Sequence, residues 1–201
     1  MEQRLASYFA ILGRLPQSAV VTDRAARPMT LAAFFSAAIP AMRQAHAAGN
    51  KILFIGNGGS SAIATHMAND FAKNGNMRAL ALTDGATLTC LGNDYGFEHI
   101  FAKQIEMLGA KGDVLVAISS SGNSPDILKG VAAAREKGFL IVTMSGFSPD
   151  NRLRAEGDYN LYVANGEYGF VEVAHQALIH AVLDIACGWG QGRMPDVAAV
   201  G

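Results

Sequence analysis

The stretch Ile52–Asp70, ILFIGNGGSSAIATHMAND, joins a short apolar run to a glycine- and serine-rich turn and then to a helical segment. The run ILFIG is continuously apolar, which is typical of a strand buried on both faces in a parallel sheet. In the turn, Gly56, Gly58 and Gly59 allow positive φ angles and a close approach of backbone amides to a ligand. This stretch therefore predicts a strand–turn–helix unit with a candidate ligand loop.

The same alternation of strands and helices continues along the chain. The five predicted strands are KILFIGNG (51–58), RALALTD (78–84), DVLVAISSSGNSP (113–125), FLIVTMSG (139–146) and YNLYVAN (159–165). Helical segments separate most of them, notably residues 59–73, 97–108 and 125–137, and a last helix is predicted over 169–189. This pattern predicts an α/β fold: a parallel five-stranded sheet with helices on both faces.

The length of 201 residues suits a single domain with a sizeable core. Residues 1–48 are predicted to be helical, with a polar break at 22–28, and to form an N-terminal extension. Residues 49–190 carry the α/β core, and residues 191–201 are expected to form a loose tail.

Composition and charge narrow the functional class. The net charge is −1 and lysines and arginines form no cluster, which argues against binding of nucleic acid. Cys90 and Cys187 are far apart and belong to no Cys/His motif, as in a reduced, cytosolic protein. No signal peptide is evident, and the most apolar stretch, 29–42, falls short of the roughly 20 residues that span a bilayer. We therefore expect a cytoplasmic protein with neither a nucleic-acid nor a membrane partner.

The first loop, residues 56–61, fits neither of the common nucleotide motifs. Ser61 stands where the dinucleotide motif G-x-G-x-x-G needs its last glycine, and the Gly-Lys-Ser/Thr of the P-loop is absent. No nucleotide cofactor is therefore expected. The loop is equally compatible with a ligand site and with a plain turn in which Ser60 or Ser61 caps the helix.

The second loop offers four hydroxyl groups directly after a buried strand, those of Ser119, Ser120, Ser121 and Ser124. Pro125 suits a first helical position, with Ser124 before it as the cap. Hydroxyls and free amides at a helix N-terminus bind phosphate, aided by the helix dipole, although Asp126 in the first turn opposes an anion there. Because four serines exceed what one cap requires, the loop predicts a neutral, hydroxyl-rich phosphate site.

Four segments together resemble the phosphoheptose isomerases, a branch of the sugar isomerase (SIS) family. They are GNGGSS (56–61) with the following His66, GNDYGFEHIF (92–101), SSSGNSPDIL (119–128) and EVAHQALIH (172–180). The resemblance covers about residues 50–185 and implies the flavodoxin-like SIS fold. It also implies an aldose–ketose isomerase that converts sedoheptulose 7-phosphate to D-glycero-D-manno-heptose 7-phosphate for lipopolysaccharide or capsule biosynthesis. Members are usually homotetramers with sites at subunit interfaces, often with zinc.

The resemblance also implies the site residues. Those expected to bind substrate or phosphate are Asn57, Gly58, Gly59, Ser60, Asn93, Asp94, Ser119, Ser120, Ser121, Ser124 and Glu172. The expected catalytic residues are Asp70, Glu172 and His180. The chain departs from the family pattern, because Asp70 replaces a glutamate, Glu172 a glutamine and Gly169 a common aspartate, and an arginine after the first-loop helix is missing.

Isomerisation through an enediol needs a base near the carbon and an acid for the oxygens. Asp70 or Glu172 could be the base and His180 the acid. The alternative is a Zn²⁺ site of two imidazoles and two carboxylates, formed by His66, Asp70, Glu172 and His180. His66 and Asp70 share a helix face because they are four residues apart. If all four bind metal, Asp70 cannot easily be a free base as well.

Two other functions are compatible with the sequence. One is a non-catalytic sugar-phosphate-binding SIS protein acting through a protein partner, like the replication-initiator-associating proteins. The other is an isomerase of a different phosphosugar. Several residues are instead expected to be structural or to lie in the core: His46, His99, His175, Gln176, Cys90, Tyr95, Phe97 and Phe101.

Overall fold

The structure, a computed structural model, describes residues 1–190, and the tail predicted at 191–201 lies outside them. The strands are β1 (Val20–Asp23), β2 (Pro28–Met29), β3 (Ile52–Gly56), β4 (Ala79–Ala81), β5 (Val114–Ser119), β6 (Leu140–Ser145) and β7 (Tyr159–Tyr162). The helices are α1 (Glu2–Arg14), α2 (Leu31–Ala47), α3 (Gly59–Lys73), α4 (Gly85–Tyr95), α5 (Ile100–Leu108), α6 (Pro125–Glu136) and α7 (Tyr168–Ala186). Two short 3₁₀ turns lie at Phe97–His99 and Arg152–Ala155.

The α/β fold predicted from the sequence is confirmed. One sheet runs in the order β2-β1-β7-β6-β5-β3-β4, and all pairs among β3 to β7 are parallel. These five strands are the five that the apolar runs predicted. If they are renumbered along the chain, their order is 2-1-3-4-5, the flavodoxin-like arrangement.

The sheet is larger than predicted, with seven strands rather than five. The polar break at 22–28 lies within a hairpin, β1–β2, and β1 extends the sheet antiparallel to β7. The turn depends on Asp23, whose carboxylate accepts hydrogen bonds from the amides of Ala25 and Arg27 and pairs with the Arg27 guanidinium. Ala26 takes a φ of +60°. Strands this short show no apolar periodicity, so the pattern indicated only a break.

Both faces of the sheet are covered. Residues of β3 alternate between the faces, with Ile52 and Phe54 against α2, α3 and α7, and Leu53 and Ile55 against α4, α5 and α6. Every residue of β3 and β5 is buried, as a continuously apolar strand requires. The consequence for the site is that α3 and α6, which follow β3 and β5, leave the sheet on opposite sides.

The long helix α7 belongs to the core. Within residues 1–190 it alone is long and apolar enough to cross a membrane by length and composition. Eight of its residues are buried, however, and they belong to the same core cluster as α2 and α3, apart from His175 and Ala186. Its apolar character is therefore explained by its packing.

Three of the expected core residues are exposed instead. Tyr95 and Phe97 are 54% and 63% exposed, and Cys90 is also exposed, whereas Phe101 is buried as expected. Cys90 and Tyr95 lie on α4, which buries Leu91 alone, and Phe97 lies in the following 3₁₀ turn, which buries none of its residues. The apolar character of these three residues therefore led to a wrong prediction of their burial.

His175 on α7 is fully buried, and its Nε2–H donates to the backbone carbonyl of Ser145 at the end of β6 (3.1 Å). Burial lowers the pKa of His175 from its usual 6.5 to about 4. Between these values the unfolded chain binds the proton and the folded chain does not, so stability falls as pH decreases.

We predict that this residue makes the protein less stable by about 2 kcal/mol at pH 5.0 than at pH 7.5. Urea unfolding of the wild type and of His175→Gln at both pH values measures this effect. Because glutamine does not titrate, the free energy of unfolding of His175→Gln should fall less between pH 7.5 and pH 5.0 than that of the wild type. An equal loss in both proteins would contradict the assignment to His175.

Candidate active site

The first loop follows β3 and the second follows β5, and these two strands are neighbours in the sheet. Because α3 and α6 turn to opposite faces, a crevice opens above the carboxyl ends of β3 and β5, where open α/β sheets bind ligands. A cavity of about 240 Å³ lies there. It is lined by Asn57, Gly58, Gly59, Ser60, Ser119, Ser120, Ser121, Ser124, Tyr168 and Glu172.

Nine of these ten residues are among those that the sequence predicted for substrate or phosphate binding. The structure thus brings together two loops that lie about 60 residues apart in the chain. The cavity is smaller than the roughly 300–1,000 Å³ of drug-sized ligand sites, which suits a compact metabolite. As far as residues 1–190 show, its lining contains no Lys, Arg or His.

The first loop ends at an uncapped helix. Gly58 is the N-cap of α3, with a φ of +52° and a ψ of −121°, and no side chain caps the helix. The interpretation of Ser60 or Ser61 as the cap is therefore wrong. Ser60 is instead buried against the cavity. The Ser61 amide donates to the Gly58 carbonyl (3.0 Å), whereas the amides of Gly59 and Ser60 keep their capacity to bind an anion or a sugar oxygen.

The second loop also leaves its helix uncapped by a side chain. Ser124 is the N-cap of α6 with Pro125 at the first helical position, but its hydroxyl makes no capping bond and lies 3.3 Å from the Ser119 hydroxyl. The hydroxyl of Ser120 is buried and has no hydrogen-bond partner among the described residues. An unsatisfied buried hydroxyl at a cavity wall is costly unless a ligand or water contacts it.

Gly122 shapes the turn of the second loop. Its φ is +65°, and a Cβ at this position would overlap the side chain of Asn151. The Asn151 amide in turn donates to the carbonyls of Gly146 and Ser148, which fixes it beneath the loop. Glycine is therefore required here by both conformation and space.

Asp126 lies at the start of α6, where it was expected to oppose a bound anion. It is only 2% exposed, and one of its carboxylate oxygens has no hydrogen-bond partner in the described chain. Burial raises the pKa of this carboxyl, and a hydrogen bond from the Asn57 side chain offsets the shift only in part. The amides of Asp126 and Ile127 also bond this carboxylate and oppose the shift, so Asp126 still competes with an anion for the N-terminus of α6.

Among residues 1–190, Glu172 supplies the one carboxylate in the cavity lining. Its carboxylate lies against the backbone of Gly59, where a Cβ would overlap it. The side chain thus reaches from α7 to the first turn of α3. Glycine at position 59 is what allows this close approach.

Three of the four expected metal ligands converge at a second place on α3 and α7. The Nε2 atoms of His66 and His180 are 3.2 Å apart, and His66 Nε2 lies 3.3 Å from Asp70 Oδ2. One ligand atom from each residue lies within 4.8 Å of the others. Two imidazoles and a carboxylate suit Zn²⁺ with an open position, so this triad is a possible metal site.

Glu172, the fourth residue of the predicted metal set, is not among the three whose ligand atoms converge, so that four-residue set remains a prediction. It precedes His180 by eight residues on α7, a rise of about 12 Å. This spacing places it at the cavity and leaves His180 beside His66.

Asn93 and Asp94 are also separate from the cavity in this chain. Both are exposed on α4, where the Asn93 amide donates to Asp94 Oδ1 (2.8 Å) and the Cys90 thiol donates to Asp94 Oδ2 (3.7 Å). Neither residue lines the cavity. Tyr168 does line the cavity, although no sequence pattern singled it out, because an aromatic residue at a helix start belongs to no motif.

Comparison with known proteins identifies the class to which this fold and site belong. A family model described as the SIS domain matches residues 19–146. A solved structure, the phosphoheptose isomerase GmhA from Neisseria gonorrhoeae, superposes with a TM-score of 0.78 at 35% identity, covering 92% of this chain and 98% of that one. The fold is therefore that of an SIS-domain protein.

The sequence comparison is more specific. The phosphoheptose isomerase of a Bradyrhizobium species is 38% identical over 182 residues, 87% of this chain and 90% of the relative. That of Nitratidesulfovibrio vulgaris is 44% identical over 145 residues, 69% of each chain. The chain belongs to the phosphoheptose isomerase family.

We predict that Gly122→Ala destabilises the protein by about 1–3 kcal/mol, because alanine is strained at a φ of +65° and meets Asn151. Gly13→Ala in α1 is the matched control, since a Cβ there meets nothing within 4 Å. That control should gain about 0.5–1 kcal/mol from the lower flexibility of alanine. Urea unfolding measures both, and equal stabilities of the two variants would contradict this account of the loop.

Proposed function

We propose that this protein is an aldose–ketose isomerase that converts sedoheptulose 7-phosphate to D-glycero-D-manno-heptose 7-phosphate. The observation that carries the proposal is the cavity in which a serine loop and two uncapped helix N-termini converge, near a triad of acid–base residues. Membership of the phosphoheptose isomerase family supports the choice of substrate.

The phosphate end of the substrate is assigned to the second loop. Ser119, Ser120, Ser121 and Ser124 offer hydroxyl groups, and the N-terminus of α6 adds amides and its dipole. The carboxylate of Glu172 on the other wall repels a phosphate and accepts hydrogen bonds from sugar hydroxyls. Asn57, Gly58, Gly59 and Ser60 complete the sugar-binding wall.

The reactive end of the substrate is assigned to the triad. Gly59 at the cavity and His66 at the triad are seven residues apart on α3, about 10 Å along the helix axis. A ketose phosphate of seven carbons can extend over such a distance, whereas a triose phosphate cannot. This separation favours Asp70 over Glu172 as the base that moves the proton between C1 and C2.

Asp70 can be a base even while it contacts His66. Its Oδ2 faces the imidazole, and Oδ1 keeps lone pairs that can take a proton from C1 and return it to C2. His180 serves the substrate oxygens as the acid, giving a proton to O2 and receiving one from O1. Both residues are partly buried, which restricts the access of water.

Zinc binding by His66, Asp70 and His180 is proposed as the alternative use of these residues, in which they are metal ligands rather than the free base and acid. The donor set fits Zn²⁺, and a Lewis acid there would stabilise the negative charge that develops on the substrate oxygens. Glu172, outside the triad, remains with the sugar.

The assembly is proposed to be a homotetramer in the cytoplasm that serves lipopolysaccharide or capsule heptose synthesis. The exposed apolar residues of α1 support an assembly, since Leu5, Tyr8, Phe9 and Ile11 are 42–63% exposed. Asn93 and Asp94, on an exposed face outside this chain's cavity, would then complete the site of a neighbouring subunit.

The first test is kinetic. Purified protein should convert sedoheptulose 7-phosphate, and Asp70→Asn should lower kcat about 10²- to 10⁴-fold because it removes the base. Glu172→Gln should mainly raise KM, since it alters sugar binding. Glu136→Gln, an exposed residue at the end of α6, is the control and should keep wild-type rates.

The outcomes separate the alternatives. If Glu172→Gln is inactive while Asp70→Asn turns over, Glu172 is the base. If the wild type binds the sugar phosphate but shows no turnover with or without added zinc, the protein is a binding protein rather than an isomerase.

The second test is metal content. Protein prepared without chelator should hold about one zinc ion per chain by elemental analysis, because three donors converge. His66→Ala and His180→Ala should lose it, whereas Glu172→Gln should retain it. Loss of zinc from Glu172→Gln alone would restore the four-residue set, and zinc-free active protein would exclude the metal.

A further inference from the structure

Tyr168 lines the cavity, but it belongs to none of the sequence motifs and has no role in the proposed reaction so far. It is the first residue of α7 and lies beside the serine loop and Glu172. It is 62% exposed, so packing in the core does not account for a large aromatic side chain here.

The ring of Tyr168 is supported by a second aromatic residue. Phe147 lies edge-to-face against it, with ring centroids 4.8 Å apart and an angle of 78°. Such pairs contribute more than their buried area alone. Phe147 follows β6 directly after Gly146, so the pair lies at the carboxyl edge of the sheet, as the cavity does.

Phe147 is held in a backbone conformation that its residue type disfavours. Its φ is +56°, in the left-handed region. Its amide donates to the Asn165 carbonyl (2.9 Å), and its carbonyl accepts from the Tyr162 hydroxyl (2.8 Å). Backbone strain that the surroundings enforce in this way is concentrated at functional sites.

The start of α7 is fixed from its other side as well. Tyr8 of α1 stacks on Phe170, with centroids 4.5 Å apart and an angle of 32°. The backbone that carries Tyr168 is therefore held by α1, while its ring is held by Phe147. A rigidly supported yet exposed ring is suited to contact a ligand.

We propose that Tyr168, supported by Phe147, is a further substrate-binding residue whose ring packs against the C–H groups of the sugar chain. Its body is apolar, and the carbon skeleton of a sugar phosphate needs such a surface between its hydroxyl groups. The other described lining residues are polar or glycine, so within residues 1–190 Tyr168 supplies the one large apolar surface of the cavity. This inference rests on the proposed sugar-phosphate substrate.

The experiment compares the wild type with Tyr168→Ala, Tyr168→Phe and Val173→Ala. Val173 is exposed on the same helix and does not line the cavity, so it is the control. KM and kcat are measured with sedoheptulose 7-phosphate, and inorganic phosphate is used as a competitive inhibitor to report on the serine loop alone. Calorimetric Kd values for the sugar phosphate are measured in parallel.

Tyr168→Ala should raise KM and Kd for the sugar phosphate about tenfold, with little change in kcat. Its inhibition constant for phosphate should equal that of the wild type, because the serine loop is intact. Tyr168→Phe should behave like the wild type, since the ring is retained. Phe147→Ala should show an intermediate rise in KM, because Tyr168 keeps its ring but loses its support.

The proposal is overturned if Tyr168→Ala leaves KM and Kd unchanged, or if it weakens phosphate inhibition by the same factor. It is also overturned if Tyr168→Phe is as impaired as Tyr168→Ala. A wild type that binds but does not convert the sugar phosphate refutes the isomerase, and the Kd values still decide on Tyr168. A wild type that binds no sugar phosphate refutes both.

Discussion

The site depends on one geometric constraint, the divergence of two helices from adjacent parallel strands. After β3 and β5 the chain turns to opposite faces of the sheet, and the backbone amides at the starts of α3 and α6 face a shared crevice. Neither N-cap residue, Gly58 or Ser124, makes a side-chain capping bond. The glycines at 58 and 122 permit the two turns, and the fully buried strands hold them in register.

The electrostatics of the site follow from how its charges are separated. The phosphate end presents hydroxyls and amides and, within residues 1–190, no basic side chain. The charged carboxylate of Glu172 lies on the opposite wall, beside Gly59. The imidazoles of His66 and His180 are two helical turns further along. A ligand with one anionic end and a polyhydroxyl chain matches this sequence of environments.

The sequence alone predicted much of the fold and most of the cavity. Continuous apolar runs indicated the five parallel strands, because burial on both faces excludes polar residues. The two loops were recognisable because glycines and four clustered serines have few structural reasons to follow a strand. The hairpin β1–β2 was missed since its strands are too short to show periodicity, and Cys90, Tyr95 and Phe97 were placed in the core from residue type alone.

Sequence spacing thus determined which residues share a strand, a loop or a helix face, since local periodicity is a property of the backbone. Only the tertiary structure decided how those elements meet. It showed that Glu172 and Tyr168 line the cavity, and that the ligand atoms of His66, Asp70 and His180 converge. The reason is that contacts between helices depend on packing angle and axial offset, which no spacing within a single helix encodes.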